Sequence, residues 1–178
     1  MRIALITRST LNVVPGGDTV QVTQLARQLA ALGATPVLCG AGDAIRYEDF
    51  DLLHFFNITR PADLLAHAIR SPRPYVVSPV LVDYSEYDRH HRKGFSGKVL
   101  RRLSPDGGEY LKTLGRWISG KDRLVSKRYL LKGQHRSIRY ILDKAAWLLP
   151  NSGAEQQALS IRYNCTRPFT IIPNGIDP

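Results

Sequence analysis

Residues 2–40 read RIALITRSTLNVVPGGDTVQVTQLARQLAALGATPVLCG, and they contain a complete strand–helix–strand unit. The run Arg2 to Thr7 is short and largely apolar, which is typical of a strand buried on both faces of a parallel sheet. After a glycine-containing loop, apolar residues recur at helical spacing as far as Gly33, and glycine commonly ends a helix. A second apolar run, Pro36 to Cys39, predicts the next strand.

The same alternation continues along the chain. Asp51 to Phe56 predicts a third strand, Pro61 to Arg70 a helix with proline in its first turn, and Tyr75 to Ser78 a fourth strand. Four later elements are predicted: a helix through Ile138, Ile141, Leu142 and Ala145, a strand at Trp147 to Leu149, a helix at Ser152 to Tyr163 and a final strand at Phe169 to Ile172. Strands that alternate with helices predict a parallel sheet covered on both faces. The predicted fold class is therefore α/β, with residues 1–178 forming a single Rossmann-like, doubly wound domain.

Net charge is the unusual feature of the composition. The chain has 178 residues, of which 43% are hydrophobic and 22% charged, so disordered, collagen-like and disulfide-stapled classes are excluded. Lys and Arg total 25 against 15 for Asp and Glu, which gives a net charge of +10. Residues 86–140, which we call the basic block, contain 15 of the basic and 5 of the acidic residues. The surplus of positive charge therefore lies in this block.

The sequence predicts a cytoplasmic protein. The apolar part of Met1 to Ile6 ends too early for a signal peptide. No run approaches the roughly 18 apolar residues of a membrane-spanning helix. The two cysteines, Cys39 and Cys165, are expected to be reduced thiols.

Ligands of parallel sheets bind beyond the carboxyl ends of the strands, so the loops there contain the candidate site residues. Gly16 and Gly17 precede a helix start, where backbone amides and the helix dipole favour a phosphate, although a Pro-Gly-Gly turn needs no ligand. Asp18 is predicted to cap that helix. The dinucleotide fingerprint G-x-G-x-x-G and the P-loop motif are both absent, which disfavours a nicotinamide-dependent dehydrogenase and a nucleotide hydrolase.

Five further polar residues lie in or soon after predicted strands. For His54, burial with a hydrogen bond to a neighbouring loop and a role at the site are equally open, whereas Asn57 is the better candidate to contact a polar ligand. Asp83 lies in an acidic and aromatic loop that could bind sugar hydroxyls, with helix capping as the alternative. Ser152 and Glu155 fit the capping box S-x-x-E. No metal-ligand cluster and no nucleophile elbow are found in the sequence, so no metal or catalytic nucleophile is predicted.

The basic block interleaves leucine, tryptophan and isoleucine with arginine and lysine, and this spacing predicts largely helical structure with one apolar and one cationic face. Two interpretations remain open. The helices could lie on an anionic membrane surface, or their apolar faces could pack on their own domain. Nucleic acid is not expected as a partner because no known binding motif organises the charge.

Several motifs together resemble the N-terminal domain of family 4 glycosyltransferases of the GT-B fold. The matching pieces are Arg2 to Thr7, the loop ending in Gly16 and Gly17, Asp51 to His54, Pro150 to Ser152 with Glu155, and Ile172 to Asp177. They cover most of the chain outside the basic block. The resemblance implies a retaining glycosyltransferase of the hexosyltransferase type, acting in polysaccharide biosynthesis at the inner face of a membrane. Its partners would be a nucleotide-sugar donor and a glycan or lipid-linked acceptor, with no cofactor.

The resemblance also implies roles for individual residues. Gly16 and Gly17 would approach the donor phosphate, and Asn174 and Gly175 match the segment that faces the cleft between two domains. His54 matches the first histidine of a strand-end pattern in the family.

Two departures from the family pattern occur at strand ends. Phe56 stands where a second histidine often occurs, and Val80 and Leu81 replace a His-Asp pair, which leaves Asp83 as a substitute.

Family members bind most of the donor through a C-terminal domain that contains a pair of glutamates, and this chain stops at Pro178. The expectation is an acceptor-binding half that is inactive alone, with the donor-binding domain absent from the chain. The family's chemistry relies on positioning and electrostatic stabilisation of the leaving phosphate. The alternative function is a non-catalytic binding module that docks an anionic membrane or an acidic partner through the basic block.

Overall fold

The computed structural model describes residues 1–9, 16–81, 105–120 and 125–174. Within these ranges the chain is an α/β domain in which helices cover both faces of one parallel sheet. The strands are β1 (Arg2–Thr7), β2 (Thr35–Gly40), β3 (Leu52–Phe56), β4 (Tyr75–Ser78) and β5 (Trp147–Leu148). The helices are α1 (Gly17–Ala31), α2 (Pro61–Arg70), α3 (Pro105–Ile118), α4 (Arg128–Lys144) and α5 (Gly153–Tyr163), and a 3-10 turn covers Tyr47–Asp49. The predicted Rossmann-like, doubly wound fold is confirmed.

The order of the strands positions the site. The sheet runs β2-β1-β3-β4-β5, and every neighbouring pair is parallel. From β1 the chain winds outward to β2 and then returns to β3 on the opposite side of β1. The direction of winding therefore reverses between β1 and β3, and in such sheets a ligand crevice opens at the carboxyl ends of the two strands where this happens.

Alternating side chains of the strands supply two separate cores, one on each face of the sheet. The larger core lies on the face covered by α2 and α4 and includes Ile6, Phe55, Leu65, Val77 and Ile141. The smaller core lies against α1 and includes Leu5, Val22 and Phe56. Because both faces of β1 and β3 are buried, these strands are apolar at nearly every position.

The two ends of α1 differ in how well the sequence predicts them. Gly33, with φ +83°, follows the helix, and the amides of Gly33 and Ala34 donate back into its last turn at 3.0 and 2.9 Å. This confirms the predicted glycine stop. The prediction that Asp18 caps the helix is wrong, because Gly16 is the N-cap and Asp18 lies within the first turn. The amide of Gly16 instead donates to Thr19 Oγ1 at 3.0 Å.

The predicted final strand at Phe169 to Ile172 is not a regular strand. Phe169 forms an isolated parallel bridge with Leu148. The amides of Thr170 and Ile172 donate to backbone carbonyls in and just after β5 at 3.0 and 2.8 Å. The physical reason is that β5 has only two residues, so it offers a partner ladder too short for a full strand.

The described part of the basic block consists mainly of α3 and the first three turns of α4, which confirms the predicted helices there. Residues 86–104 and 121–124 of the block lie outside the described residues. A break divides α4 at Gly133, whose φ of +71° is a conformation that favours glycine. None of the described helices combines the length and apolar character needed to cross a bilayer. Cys39 and Cys165 are buried free thiols, as expected.

Candidate functional site

Three polar side chains meet where β1 and β3 end, and we call Arg8, Asp18 and Asn57 the switch-point cluster. Arg8 follows β1, Asp18 lies in the first turn of α1, and Asn57 follows β3. Arg8 donates from Nε and Nη2 to the two carboxylate oxygens of Asp18 at 2.7 and 3.0 Å. Asn57 Nδ2 donates to Asp18 Oδ2 at 3.3 Å. The topology therefore brings together residues separated by up to 49 positions.

The cluster holds Asp18 in its charged form. The side chains of Arg8 and Asp18 are only 11% and 12% exposed, so water screens their attraction less than it would at an open surface. Burial alone would raise the pKa of Asp18, but hydrogen bonds from Arg8 and Asn57 outweigh it and hold the pKa below its ordinary value. Asp18 is thus an acceptor of hydrogen bonds at neutral pH, and it is unsuited to donating a proton.

Asn57 is fixed at both ends of its side-chain amide. Its Oδ1 accepts hydrogen bonds from the amide of Thr59 at 3.2 Å and from the Thr59 hydroxyl, while its Nδ2 donates to Asp18. The φ of Asn57 is +66°, in the left-handed region that asparagine tolerates better than most residues. The residue predicted to contact a ligand therefore also acts as a structural link between β3 and α1.

The two glycines before α1 have different surroundings. A Cβ atom on Gly16 would lie 3.2 Å from Asp18 Oδ1 and 3.3 Å from Arg8 Nη2, closer than an ordinary contact. A Cβ atom on Gly17 would meet no atom of the described residues within 4 Å. A side chain at Gly16 would therefore displace the ends of Asp18 and Arg8 by a few tenths of an ångström, whereas the space beside Gly17 is open among the described residues. Amides in a helix's first turn lack intrahelical acceptors and lie at the positive end of the dipole, so this open space suits an anion.

His54 is buried within the sheet. It lies in β3, is 5% exposed, and its Nε2 is 2.9 Å from the hydroxyl oxygen of Ser78 in β4. Its ring stacks on Phe56 with the centroids 4.3 Å apart. Burial lowers the pKa of His54 to about 3, so the ring is neutral at physiological pH. These contacts match the buried alternative that the sequence leaves open, with a neighbouring strand as the partner.

Glu155 connects two loops at the carboxyl edge of the sheet. Ser152 is the N-cap of α5, as predicted, and its Oγ accepts a hydrogen bond from the amide of Glu155 at 3.2 Å. The carboxylate of Glu155, however, accepts from the amides of Leu81 and Asn151, each at 2.6 Å. Glu155 is 6% exposed, so this buried carboxylate fixes the loop after β4 to the loop after β5.

Val80 lies between two of these fixed points in a strained conformation. Its φ is +49°, and a β-branched residue in the left-handed region is a genuine outlier that costs on the order of 1–2 kcal/mol. The neighbouring Pro79 carbonyl accepts from the amide of Ile58 at 2.9 Å, and the amide of Leu81 is bound by Glu155. Strain of this kind is often found at functional sites, where surrounding contacts maintain it.

The remaining predicted residues do not join the switch-point cluster. Asp83 and Gly175 lie outside the described residues. Asn174 is exposed and follows Ile172, whose amide donates to the carbonyl of Pro150 at 2.8 Å, so Asn174 lies at the β5 end of the carboxyl edge. With strands spaced about 4.8 Å apart, β5 lies about 10 Å from β3.

The predicted residues therefore fall into two groups along one edge. Gly16, Gly17, Asp18 and Asn57 are together at β1 and β3, whereas Ser152 and Asn174 are at β5.

Sequence reasoning missed a chain of hydrogen bonds that leads from the cluster to α4. Gln134 Nε2 donates to the carbonyl of Thr59 at 2.9 Å, and the hydroxyl of Tyr129 donates to Gln134 Oε1 at 2.6 Å. Tyr129 is fully buried. Because Thr59 also binds Asn57, the start of α4 is attached to the loop that presents the cluster. The only sequence signal for Arg8, also missed, is its place directly after β1.

Among the described residues, no group of three or more His, Cys, Asp and Glu side chains is arranged to hold a metal ion. The sequence matches no known protein-family model, and a search of curated proteins found no significantly similar sequence. The geometry of the carboxyl edge and the motifs in the sequence are therefore the basis for inferring a function.

Proposed function

We propose that the chain is the acceptor-binding half of a retaining glycosyltransferase, with the donor phosphate at the start of α1 and the acceptor beside the switch-point cluster. The observation that carries this proposal is the open space beside Gly17, next to a fixed and charge-balanced Arg8–Asp18 pair at the β1–β3 crevice. The resemblance of the sequence motifs to family 4 glycosyltransferases supports the same assignment.

The start of α1 would hold the leaving phosphate of the nucleotide-sugar donor. The amides of Gly17 and Asp18 belong to the first turn, and the helix dipole adds positive potential there. The carboxylate of Asp18 would repel a phosphate if it were alone, but its bidentate contact with Arg8 balances that charge. Fixed donors of this kind stabilise the negative charge that develops as the sugar–phosphate bond breaks.

The cluster would orient a hydroxyl group of the acceptor. An ionised carboxylate offers about four acceptor positions, and Arg8 and Asn57 occupy three of those on Asp18. The backbone of Thr19 also hydrogen-bonds to this carboxylate, so an acceptor hydroxyl would share one of its oxygens with these donors. Because Arg8, Asn57 and Thr59 fix the orientation of the carboxylate, the hydroxyl would be held with little loss of freedom at the moment of reaction, which is the basis of catalysis by positioning.

Backbone-amide NMR of the isotope-labelled chain, titrated separately with UDP, GDP and ADP, tests the proposal directly. We expect the largest chemical-shift changes at Gly17 and Asp18 with at least one nucleotide. Affinity should be weak, because the resemblance assigns most donor contacts to a second domain. The absence of any shift at α1 with all three nucleotides would contradict the proposal.

The variant Gly17→Ala makes this test specific. A Cβ atom at Gly17 would contact none of the described residues, so the variant should fold normally and yet lose most of the nucleotide-dependent shifts. Gly115→Ala is the matched control, because Gly115 lies in α3 and a Cβ atom there also meets nothing within 4 Å. If Gly17→Ala binds nucleotide as well as Gly115→Ala does, the phosphate does not approach this amide.

The alternative, a non-catalytic binding module, is favoured by one observation. Basic and apolar side chains are exposed together on α3 and α4. A chain that binds an anionic surface and none of the three nucleotides would support that alternative.

A further inference from the structure

Helices α3 and α4 form an antiparallel hairpin whose far end is rich in exposed apolar and basic residues. The hydroxyl of Tyr110 donates to the carbonyl of Leu130 at 2.9 Å, and the rings of Tyr110 and Tyr129 are 5.4 Å apart. Closer to the domain, Asp106 Oδ2 accepts from His135 Nδ1 at 2.9 Å. Since higher numbers on α3 face lower numbers on α4, residues 110–120 and 125–132 form the far half of the hairpin, which we call the hairpin tip.

The base of the hairpin is firmly attached to the domain. Asp106 is 9% exposed, and besides His135 it accepts hydrogen bonds from Arg162 at 2.6 Å and from the hydroxyl of Tyr163 at 3.2 Å. These contacts join α3 to α4 and α5. The hairpin tip is therefore held in a defined position relative to the sheet.

The hairpin tip begins near the carboxyl edge of the sheet. Gln134 in α4 is level with that edge, because its side chain donates to Thr59 just after β3. Further along, the amide of Ala146 donates to Tyr75 at the amino end of β4, so α4 runs from the carboxyl edge to the amino edge. Gly133 breaks the helix directly before Gln134, and Tyr129 of the hairpin tip is buried in the larger core, so residues 125–132 adjoin the domain near this edge.

Large apolar side chains of the hairpin tip are exposed to water. Leu131 is 88% exposed and Ile118 is 78% exposed, while Leu111 and Trp117 are 45% and 43% exposed. Leaving such side chains in water is unfavourable, and several of them in one structural element are typical of a surface that a partner covers.

The charge beside these side chains has one sign. The hairpin tip contains five Lys or Arg residues and no Asp or Glu, and Arg116, Lys127 and Arg128 are exposed. Such a surface is complementary to a partner that is anionic at its boundary and apolar just beneath it. An anionic lipid bilayer has both properties, and a tryptophan such as Trp117 is favoured at its interface.

We propose that the hairpin tip docks the domain on an anionic lipid bilayer, with Trp117, Ile118 and Leu131 in the headgroup region and the basic residues facing lipid phosphates. Nucleic acid fits less well, because its phosphate backbone would leave the two aliphatic side chains in water. Docking would bring the carboxyl edge close to the membrane. The inference rests in part on the proposed function, since it identifies a lipid surface as the place where a lipid-linked acceptor is met.

Vesicle co-sedimentation of the full chain tests the proposal. We expect binding to vesicles of phosphatidylcholine and phosphatidylglycerol in equal parts, and little binding to phosphatidylcholine alone. The double variant Ile118→Ser, Leu131→Ser should bind at least tenfold more weakly. The matched control is Leu32→Ser, Ile161→Ser, which replaces two side chains that are 83% and 76% exposed outside the hairpin, and it should bind as the wild type does.

A charge-reversal pair separates specific docking from a general effect of net charge. Each basic residue near the surface contributes about fivefold to binding. Lys127→Glu, Arg128→Glu should therefore lose far more binding than Arg27→Glu, Arg70→Glu, which changes the net charge equally from exposed positions on α1 and α2. Equal losses in the two pairs would overturn the assignment to the hairpin tip.

Fluorescence of Trp117 gives an independent readout. In a Trp147→Phe background Trp117 is the only tryptophan, and its emission should shift to the blue on anionic vesicles. An unshifted emission with bound vesicles, or equal affinity for a DNA oligonucleotide, would overturn the proposal. The nucleotide titration of α1 measures a different surface, so failure of either proposal can be recognised without the other.

Discussion

The switch-point cluster and the hairpin tip lie at the same carboxyl edge, yet their charges are arranged in opposite ways. In the cluster, Arg8 and Asp18 face each other with two hydrogen bonds and are almost shielded from water. At the hairpin tip, basic side chains such as Lys127 and Arg128 are exposed in a stretch that contains no acidic residue. Paired and shielded charged side chains are held in one orientation, which suits a small ligand. Exposed charges of one sign suit a broad anionic surface.

Acid should produce the largest effect on stability, because it protonates histidines that are buried in the folded domain. Burial lowers the pKa of His54 to about 3, against an ordinary value of 6.5, and burial also lowers the pKa of His67. The unfolded chain therefore takes up protons first as the pH falls. The free energy of unfolding is fully retained above pH 6.5 and decreases toward pH 3, by about 1.4 kcal/mol per pH unit for one such histidine.

Urea unfolding at a series of pH values between neutral and acidic measures this slope. His54→Gln removes the titrating group and should make the dependence on pH clearly flatter. Ser78→Ala is the control, because it removes the hydrogen bond to His54 while the histidine remains. The idea fails if His54→Gln keeps the slope of the wild type.

Loss of the Asp18 carboxylate should give the next largest effect. Asp18→Ala leaves a nearly shielded Arg8 guanidinium without its bidentate acceptor and Asn57 without one of its partners. We expect the free energy of unfolding to fall by about 2 kcal/mol, below the cost of a fully buried pair because the edge is partly open to solvent. Denaturant unfolding at neutral pH measures the change.

The matched control for Asp18 is Glu48→Ala, which removes a carboxylate from an exposed pair with Arg46. Its unfolding midpoint should equal that of the wild type. Similar midpoints for the two variants would mean that the Arg8–Asp18 pair is as weak as a surface pair, and the contrast between the cluster and the hairpin tip would disappear.

Local sequence patterns were sufficient to predict most of the fold. α2 begins at Pro61 and ends at Arg70 as predicted, because proline at the first turn and a run of apolar spacing mark it clearly. β1 and β4 also match, since strands buried on both faces are continuous apolar runs. The final strand was wrong because strand formation depends on a partner, and the two residues of β5 are set by the tertiary structure.

The candidate site was predictable only for residues that follow a predicted strand, because ligands of parallel sheets bind beyond the carboxyl ends of the strands. Gly16, Asp18 and Asn57 were predicted because they come after predicted strands, whereas Arg8 comes before the loop that was considered after β1. Contacts between distant segments gave no local signal. The amide of Leu81 and the carboxylate of Glu155 are 74 positions apart, and the S-x-x-E pattern predicts only a local cap for that glutamate.

The smallest effect on stability is expected at the hairpin tip, and this prediction tests whether the tip differs from the switch-point cluster in its contribution to the fold. Ile118 and Leu131 are largely exposed, so Ile118→Ser, Leu131→Ser should change the free energy of unfolding by less than about 0.5 kcal/mol, even though it weakens vesicle binding. Denaturant unfolding of the purified variant measures this. A loss comparable to that of Asp18→Ala would show that these side chains support the fold, and the weakened vesicle binding would then reflect damage to the hairpin instead of lost contact with lipid.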